Sequence, residues 1–150
     1  MSKKISKTKS ADLILKLYDL RREPVMREAR SWIVSFSPET AADVMRAVIE
    51  PETSAKFRMV TSYWNMAASF VHHGAIDEEM FNEAAGEHIL IYSKLEPFIE
   101  EIRQMMGNPS FLKNLENLVM NMPDAKQMLA SRREMMKKMM QMRADAAQSS

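Results

Sequence analysis

The side chains able to do acid–base or metal chemistry are few. They gather around three histidines, His72, His73 and His88, with Asp77, Glu78, Glu79, Glu83 and Glu87 between and beside them. A carboxylate-bridged metal site built on helices needs Glu-x-x-His pairs, because residues three apart project to one face. The residue three before His88 is Ala85, and three before His72 is Ser69; no His-Glu-x-x-His occurs. On a helix the adjacent His72 and His73 would point about 100° apart, which does not suit joint chelation. The spacing instead makes His88 a core histidine on an apolar stripe, and places His72 and His73 at a helix C-terminus, where a cationic ring is favoured. Glu83 with Glu87, and Glu96 with Glu100, stand one helical turn apart and read as solvated charge. No serine nucleophile elbow or dinucleotide fingerprint is written in the chain, and three glycines cannot make a phosphate-cradling loop. Cysteine is absent, which excludes thiolate metal sites, disulfides and cysteine nucleophiles. No catalytic residue, metal or cofactor is expected.

The methionines form the second constellation. Of 16 in the chain, eight fall between Met120 and Met142. On a helix, Met128, Met135, Met139 and Met142 make a stripe that Met136 and Met140 widen. Arg132, Arg133, Lys137, Lys138 and Arg143 fill most of the remaining surface. Methionine is flexible and polarizable, so such a face suits a repacking apolar contact. The expected contact residues are Met128, Arg132, Met135, Met136, Lys137, Met139, Met140 and Met142. A helix contact within the chain or between subunits is the leading reading. A membrane surface, RNA with an apolar patch, and copper(I) thioether ligation are the alternatives.

The elements that must position these residues read as helical throughout. Apolar stripes at steps of three and four run through Leu13, Leu17 and Leu20, then Val25, Ala29, Trp32, Ile33 and Phe36, then Val44, Met45, Val48 and Ile49. Phe57, Val60, Trp64, Ala67 and Val71 form one face of a longer helix. Tyr63, Met66 and Phe70 add a second, which predicts a central position. Phe81, Ala84, His88, Ile91 and Leu95 continue on the next helix. Phe98, Ile102 and Met105 follow Pro97, and Phe111, Leu115 and Leu118 follow Pro109. Ser37-Pro38-Glu39 and Asn108-Pro109-Ser110 read as helix starts, Gly74 and Gly107 as left-handed stops, and Asp77-Glu78-Glu79 as the next start. No stretch alternates in period two.

The expected architecture is all-α: a single-domain bundle of about six to eight helices with an extended Met-rich basic C-terminal helix. Residues 1–10 would be a basic tail, 11–122 the bundle, 123–143 the Met-rich helix and 144–150 a flexible tail. At 150 residues, with 46% hydrophobic and 27% charged residues, the chain can bury a sizeable core. Net charge is +1, but it is sorted: residues 1–50 carry +3, 51–104 carry −5 and 105–150 carry +3. That pattern suits contacts between copies. No apolar stretch of signal-peptide type follows Lys3, Lys4, Lys7 and Lys9. The most apolar window, Met59 to Val71, is too short and polar for a transmembrane segment. A soluble, cytoplasmic chain is expected, with peripheral membrane contact as the variant.

The run Leu20-Arg21-Arg22-Glu23-Pro24-Val25-Met26-Arg27-Glu28-Ala29-Arg30, then Tyr63-Trp64-Asn65, then His73-Gly74-Ala75-Ile76-Asp77-Glu78-Glu79, resembles an uncharacterised bacterial all-helical family, a domain of unknown function. Pro97 to Arg103 and Gly107-Asn108-Pro109 extend the likeness over roughly residues 12–120. The resemblance implies a helical fold and carries no catalytic residues. The functional expectation is a non-enzymatic interaction or assembly subunit, binding a protein partner or a second copy. The alternative is docking on a membrane or RNA through the C-terminal helix; a metal- or carboxylate-dependent enzyme is third.

Overall fold

In the computed structural model, residues 4–149 are described; Met1–Lys3 and Ser150, at the ends of the two expected tails, lie outside them. The elements are α1 (Lys7–Leu20), α2 (Pro24–Ser35), α3 (Ala41–Ile49), α4 (Pro51–His72), α5 (Glu78–Ala84), α6 (Glu87–Leu95), a 3₁₀ turn (Glu96–Phe98), α7 (Ile99–Met106), α8 (Lys113–Met120) and α9 (Ala125–Gln148). The fold is all-α and single-domain, with a long C-terminal helix. Among the described residues no helix is long and apolar enough to cross a membrane.

Local chemistry sets several boundaries, the glycine stops and the Asp77 start among them as the sequence predicts. Pro24 and Pro51 open α2 and α4, where the missing N–H leaves nothing unpaired. Gly74 and Gly107 have φ of 77° and 66°, the left-handed conformation that a Cβ disfavours. Asp77 caps α5 by accepting from Met80 N at 2.9 Å.

Two expected starts are displaced. Helix α3 begins after Thr40, not at Ser37-Pro38, because Thr40 and Asp43 form a reciprocal capping box. Asn108-Pro109-Ser110 is a turn: Asn108 Oδ1 accepts from Ser110 N at 3.2 Å, and α8 waits until Lys113. Leu112, at its N-cap, takes φ 55° while its side chain is buried.

Helix α4 packs on α2, α3 and α8, while α6 packs on α8 and α9. Phe57, Val60, Trp64, Ala67 and Val71 are buried as a stripe, joined by Tyr63 and Ala68. Met66 and Phe70 are exposed, so α4 is not covered on its second face as expected. Leu20, Val25, Ile49, Ala84 and Met105 also drop out of their stripes to the surface. The helix covered on every side is α6, where every residue from Ile91 to Leu95 is buried. Its separation from α5 is itself a departure from the single helix expected over Phe81 to Leu95. Ala85 is extended and Gly86 caps α6, which resets the helical phase before His88.

The tails differ too. Helix α1 starts at Lys7, and Ser10 is buried, its hydroxyl accepting from Asp77 N at 2.9 Å. At the other end α9 continues helically through residues 144–148, where a flexible tail was expected.

Candidate functional site

The region of the histidines turns out to be built around a carboxylate. Glu87, expected on the surface, is only 10% exposed. It receives Arg30 through two donors, Nε at 2.9 Å and Nη2 at 2.6 Å, and Trp64 Nε1 at 3.2 Å. Arg21 Nη2 approaches it at 3.6 Å, and the Arg21 guanidinium lies over the Trp64 and Tyr18 rings. The bond to Glu87 raises the pKa of Arg30. One carboxylate thus ties the end of α1 to α2, α4 and α6. The buried Tyr63 hydroxyl donates to the Leu17 carbonyl beside it, and burial pushes that phenol up to about 12. Both arginines come from the Leu20–Arg30 run; their convergence on a residue 57 positions beyond Arg30 is a tertiary fact that spacing does not carry.

His88 is fully buried against Trp64 and Phe81. Its Nε2 lies 3.2 Å from Asn82 Oδ1, which makes Nε2 the protonated nitrogen, while buried Nδ1 has no partner. Burial, then the charges of Arg132 and Arg21, push it down to about 4, so the ring is neutral. His72 ends α4 and His73 caps it, both at the surface and far in role from His88. Among the described residues no three His, Asp or Glu side chains gather closely enough to hold a metal ion.

A second buried network fixes α8. Glu116 accepts from Tyr92 Oη at 3.0 Å, Arg103 Nη1 at 3.1 Å and Lys113 Nζ at 2.6 Å. Burial would raise this carboxyl, but those donors hold it below its usual range. Arg103 also donates to the Phe111 carbonyl, which holds the turn before α8.

The Met-rich helix divides in two. Over its first turns α9 is part of the bundle: Ala125 and Leu129 are buried, Met128, Arg132, Arg133 and Met136 are half-buried, and Arg133 donates to the Ser93 carbonyl at 2.9 Å. Packing is therefore continuous across residue 123. Beyond Met136 the helix is exposed throughout, including Lys137. Met135, Met139 and Met142 are 64%, 46% and 63% exposed, while Met140 turns back so that its sulfur lies 3.2 Å from Ser37 Oγ. The eight expected contact residues thus fall on two sides. Met128, Arg132 and Met136 face the bundle, Lys137 and Met140 lie on the side of the Ser37–Glu39 connection, and Met135, Met139 and Met142 face outward.

Missed in the sequence was Lys94, which lies buried on α6. Its signal is a lone lysine inside Ile-Leu-Ile-Tyr-Ser-Lys-Leu, a run with no polar face on which to place it.

The structure in hand is an all-helical bundle tied by buried charge and carrying a half-free helix. Residues 8–122 match the family described as Domain of unknown function (DUF4760), and the chain belongs to that family. No curated protein and no solved structure matches the chain. The match stops short of α9, so the half-free helix lies beyond the part the family describes.

Proposed function

We propose that this chain is a non-enzymatic assembly subunit that joins a second copy of itself through the outer face of α9. The observation that carries it is the stripe Met135, Met139, Met142 and Ala146. It steps by four, three and four residues along a helix face that the bundle leaves bare. That is the seam spacing of a coiled coil. Large apolar patches on a soluble surface usually mark a contact.

Laid antiparallel, two such seams pair Met139 with Met142 and Met135 with Ala146. The flanking register then sets Lys138 opposite Asp145 of the partner subunit, twice by symmetry. Asp145 holds Gln141 Nε2 at 2.8 Å through one oxygen, Oδ1. The apolar seam supplies most of the association energy, since exposed ion pairs contribute about 0–1 kcal/mol each. The pairs choose the register instead.

Sedimentation or light scattering of the full chain tests this directly. A mass of twice 17.3 kDa is expected, falling to that of one chain in Met135→Ser with Met139→Ser at unchanged helicity. Lys138→Asp should weaken the pair, and adding Asp145→Lys should restore it. A wild-type monomer at all concentrations overturns the reading. If that monomer sediments with anionic vesicles, α9 is a membrane-surface helix. If it binds RNA with an affinity that falls steeply with salt, α9 is a nucleic-acid contact.

A further inference from the structure

On the other side of α9 lies a groove with a cation at its floor. Lys94 is 6% exposed, deep for an ammonium. It donates to the Val34 carbonyl at 3.0 Å and the Phe36 carbonyl at 2.6 Å, at the C-terminal end of α2. Capping that helix end accounts for two of its three N–H bonds. No acceptor among the described residues takes the third. Nor does any carboxylate compensate the charge: burial alone pushes the amine down to about 8.

The cavity that Lys94 lines holds about 660 Å³, within the usual range for small-molecule sites. Its apolar wall is Pro38, Pro97, Phe98, Met136 and Met140. Arg133 and Lys137 join Lys94 on the charged side; Glu39 also lines it, and Arg133 and Lys137 are paired with Glu96 at 3.4 Å and Glu134 at 3.8 Å. A buried ammonium without a carboxylate, flanked by two paired cations and a flexible hydrocarbon wall, fits a ligand with one anionic end and a plain chain. Methionines adapt to such a chain without needing its exact shape.

We propose that this groove binds a long-chain monocarboxylate of the fatty-acid class. Its carboxylate accepts from the third N–H of Lys94 and from Lys137, and its chain lies along Phe98, Met136 and Met140. A monoanion suits the site because only one buried donor is free; a phosphate would leave most of its oxygens without partners. The site is separate from the self-association seam, since Met135, Met139 and Met142 face away from it. Either proposal can fail without the other.

The test is a titration of the full chain, its methionine methyls labelled with carbon-13, with sodium decanoate below its micelle concentration. Saturable shifts are expected at Met136 and Met140, and not at Met26, buried at the opposite end of α2. Decanol and decylammonium should bind at least about tenfold more weakly, the worth of one charge-assisted bond. Lys94→Met keeps the four-atom stem without the ammonium and should abolish the preference for decanoate over decanol. Should that variant not fold, Met140→Asp puts a like charge on the exposed wall and should weaken decanoate while sparing decanol.

The groups facing Lys94 are Arg133 and Lys137 from α9 and Glu39 from the connection before α3; Glu96 pairs with Arg133 at 3.4 Å. Decanoate affinity should hold near neutrality and fall as pH rises through about 8, where the buried ammonium loses its proton. Equal binding of decanoate and decanol overturns the proposal, as do shifts at Met135 and Met142 without Met136.

Discussion

Helices α6 and α9 both interleave apolar residues with charged ones, and they end in opposite environments. Helix α6 is short, and its polar members are absorbed by partners: Glu87 by Arg30 and Trp64, His88 by Asn82, Ser93 by the Leu90 carbonyl, Lys94 by two carbonyls. Helix α9 is 24 residues long and richer in methionine, yet beyond Met136 it is bare. Apolar content alone therefore does not sort the two. What does is whether the polar residues between the apolar ones have neighbours to receive them. On α6 the bundle supplies carbonyls and counter-ions. Beyond Met136 on α9 the lysines and Arg143 reach water, and that half of the helix can leave the body without stranding a charge.

The largest expected effects come from removing what α6 has absorbed. Glu87→Ala leaves Arg30 and Arg21 partly buried without their counter-ion and should cost about 3–5 kcal/mol, the usual result of breaking a buried pair from one side. Trp64→Ala should cost a similar ~3–5 kcal/mol, for a buried large aromatic. Because Trp64 Nε1 donates to Glu87, the double variant should lose less than the two combined. Urea unfolding of the four proteins measures this. Strict additivity would mean that the indole and the carboxylate do not act as one unit.

Next comes pH, through His88. In the fold the ring stays neutral to about pH 4, while in the unfolded chain it takes a proton near its ordinary 6.5. Below about 6.5 the unfolded state binds a proton the native state refuses. The stability is thus present above 6.5, and is lost as pH falls towards 4. The loss amounts to about 3 kcal/mol by linkage. Denaturant unfolding at pH 7, 5.5 and 4 should show this slope, and His88→Gln should flatten it. An unchanged slope in the variant would assign the acid sensitivity to the carboxylates instead.

What the sequence made legible was local. The left-handed glycines, the Asp77 cap, the prolines opening α2 and α4 and the buried stripe of α4 each depend on residues within about one turn, so spacing suffices to find them. The Glu87 centre depends on Arg21 and Arg30 arriving from another part of the chain, and i,i+4 spacing with Glu83 pointed the wrong way. The capping box displaced Ser37-Pro38 because Thr40 and Asp43 satisfy more backbone N–H groups than a serine and proline can. The methionine stripe was visible as a pattern, but which of its sides the bundle would cover was not. Met136 and Met139 are chemically the same and differ only in what lies opposite.

That difference yields the finest prediction, made within one helix. Leu129 and Met139 are ten residues apart on α9, both large and apolar. Leu129 is fully buried in the core, so Leu129→Ala should cost about 2–5 kcal/mol, cavity included. Met139 is 46% exposed and touches the bundle little, so Met139→Ala should leave unfolding of the isolated chain within about 0.5 kcal/mol of wild type. Met139→Ala should then act only through concentration. If α9 pairs between copies, the wild type gains stability as the chain is concentrated and the variant gains less, because association stabilises whatever it binds by mass action. Melting both proteins over a hundredfold range of concentration separates the terms. Curves that coincide at low concentration and part at high concentration place the worth of Met139 between molecules. A gap of the same size at every concentration would put Met139 inside the fold, and the bare half of α9 would have to be packed after all.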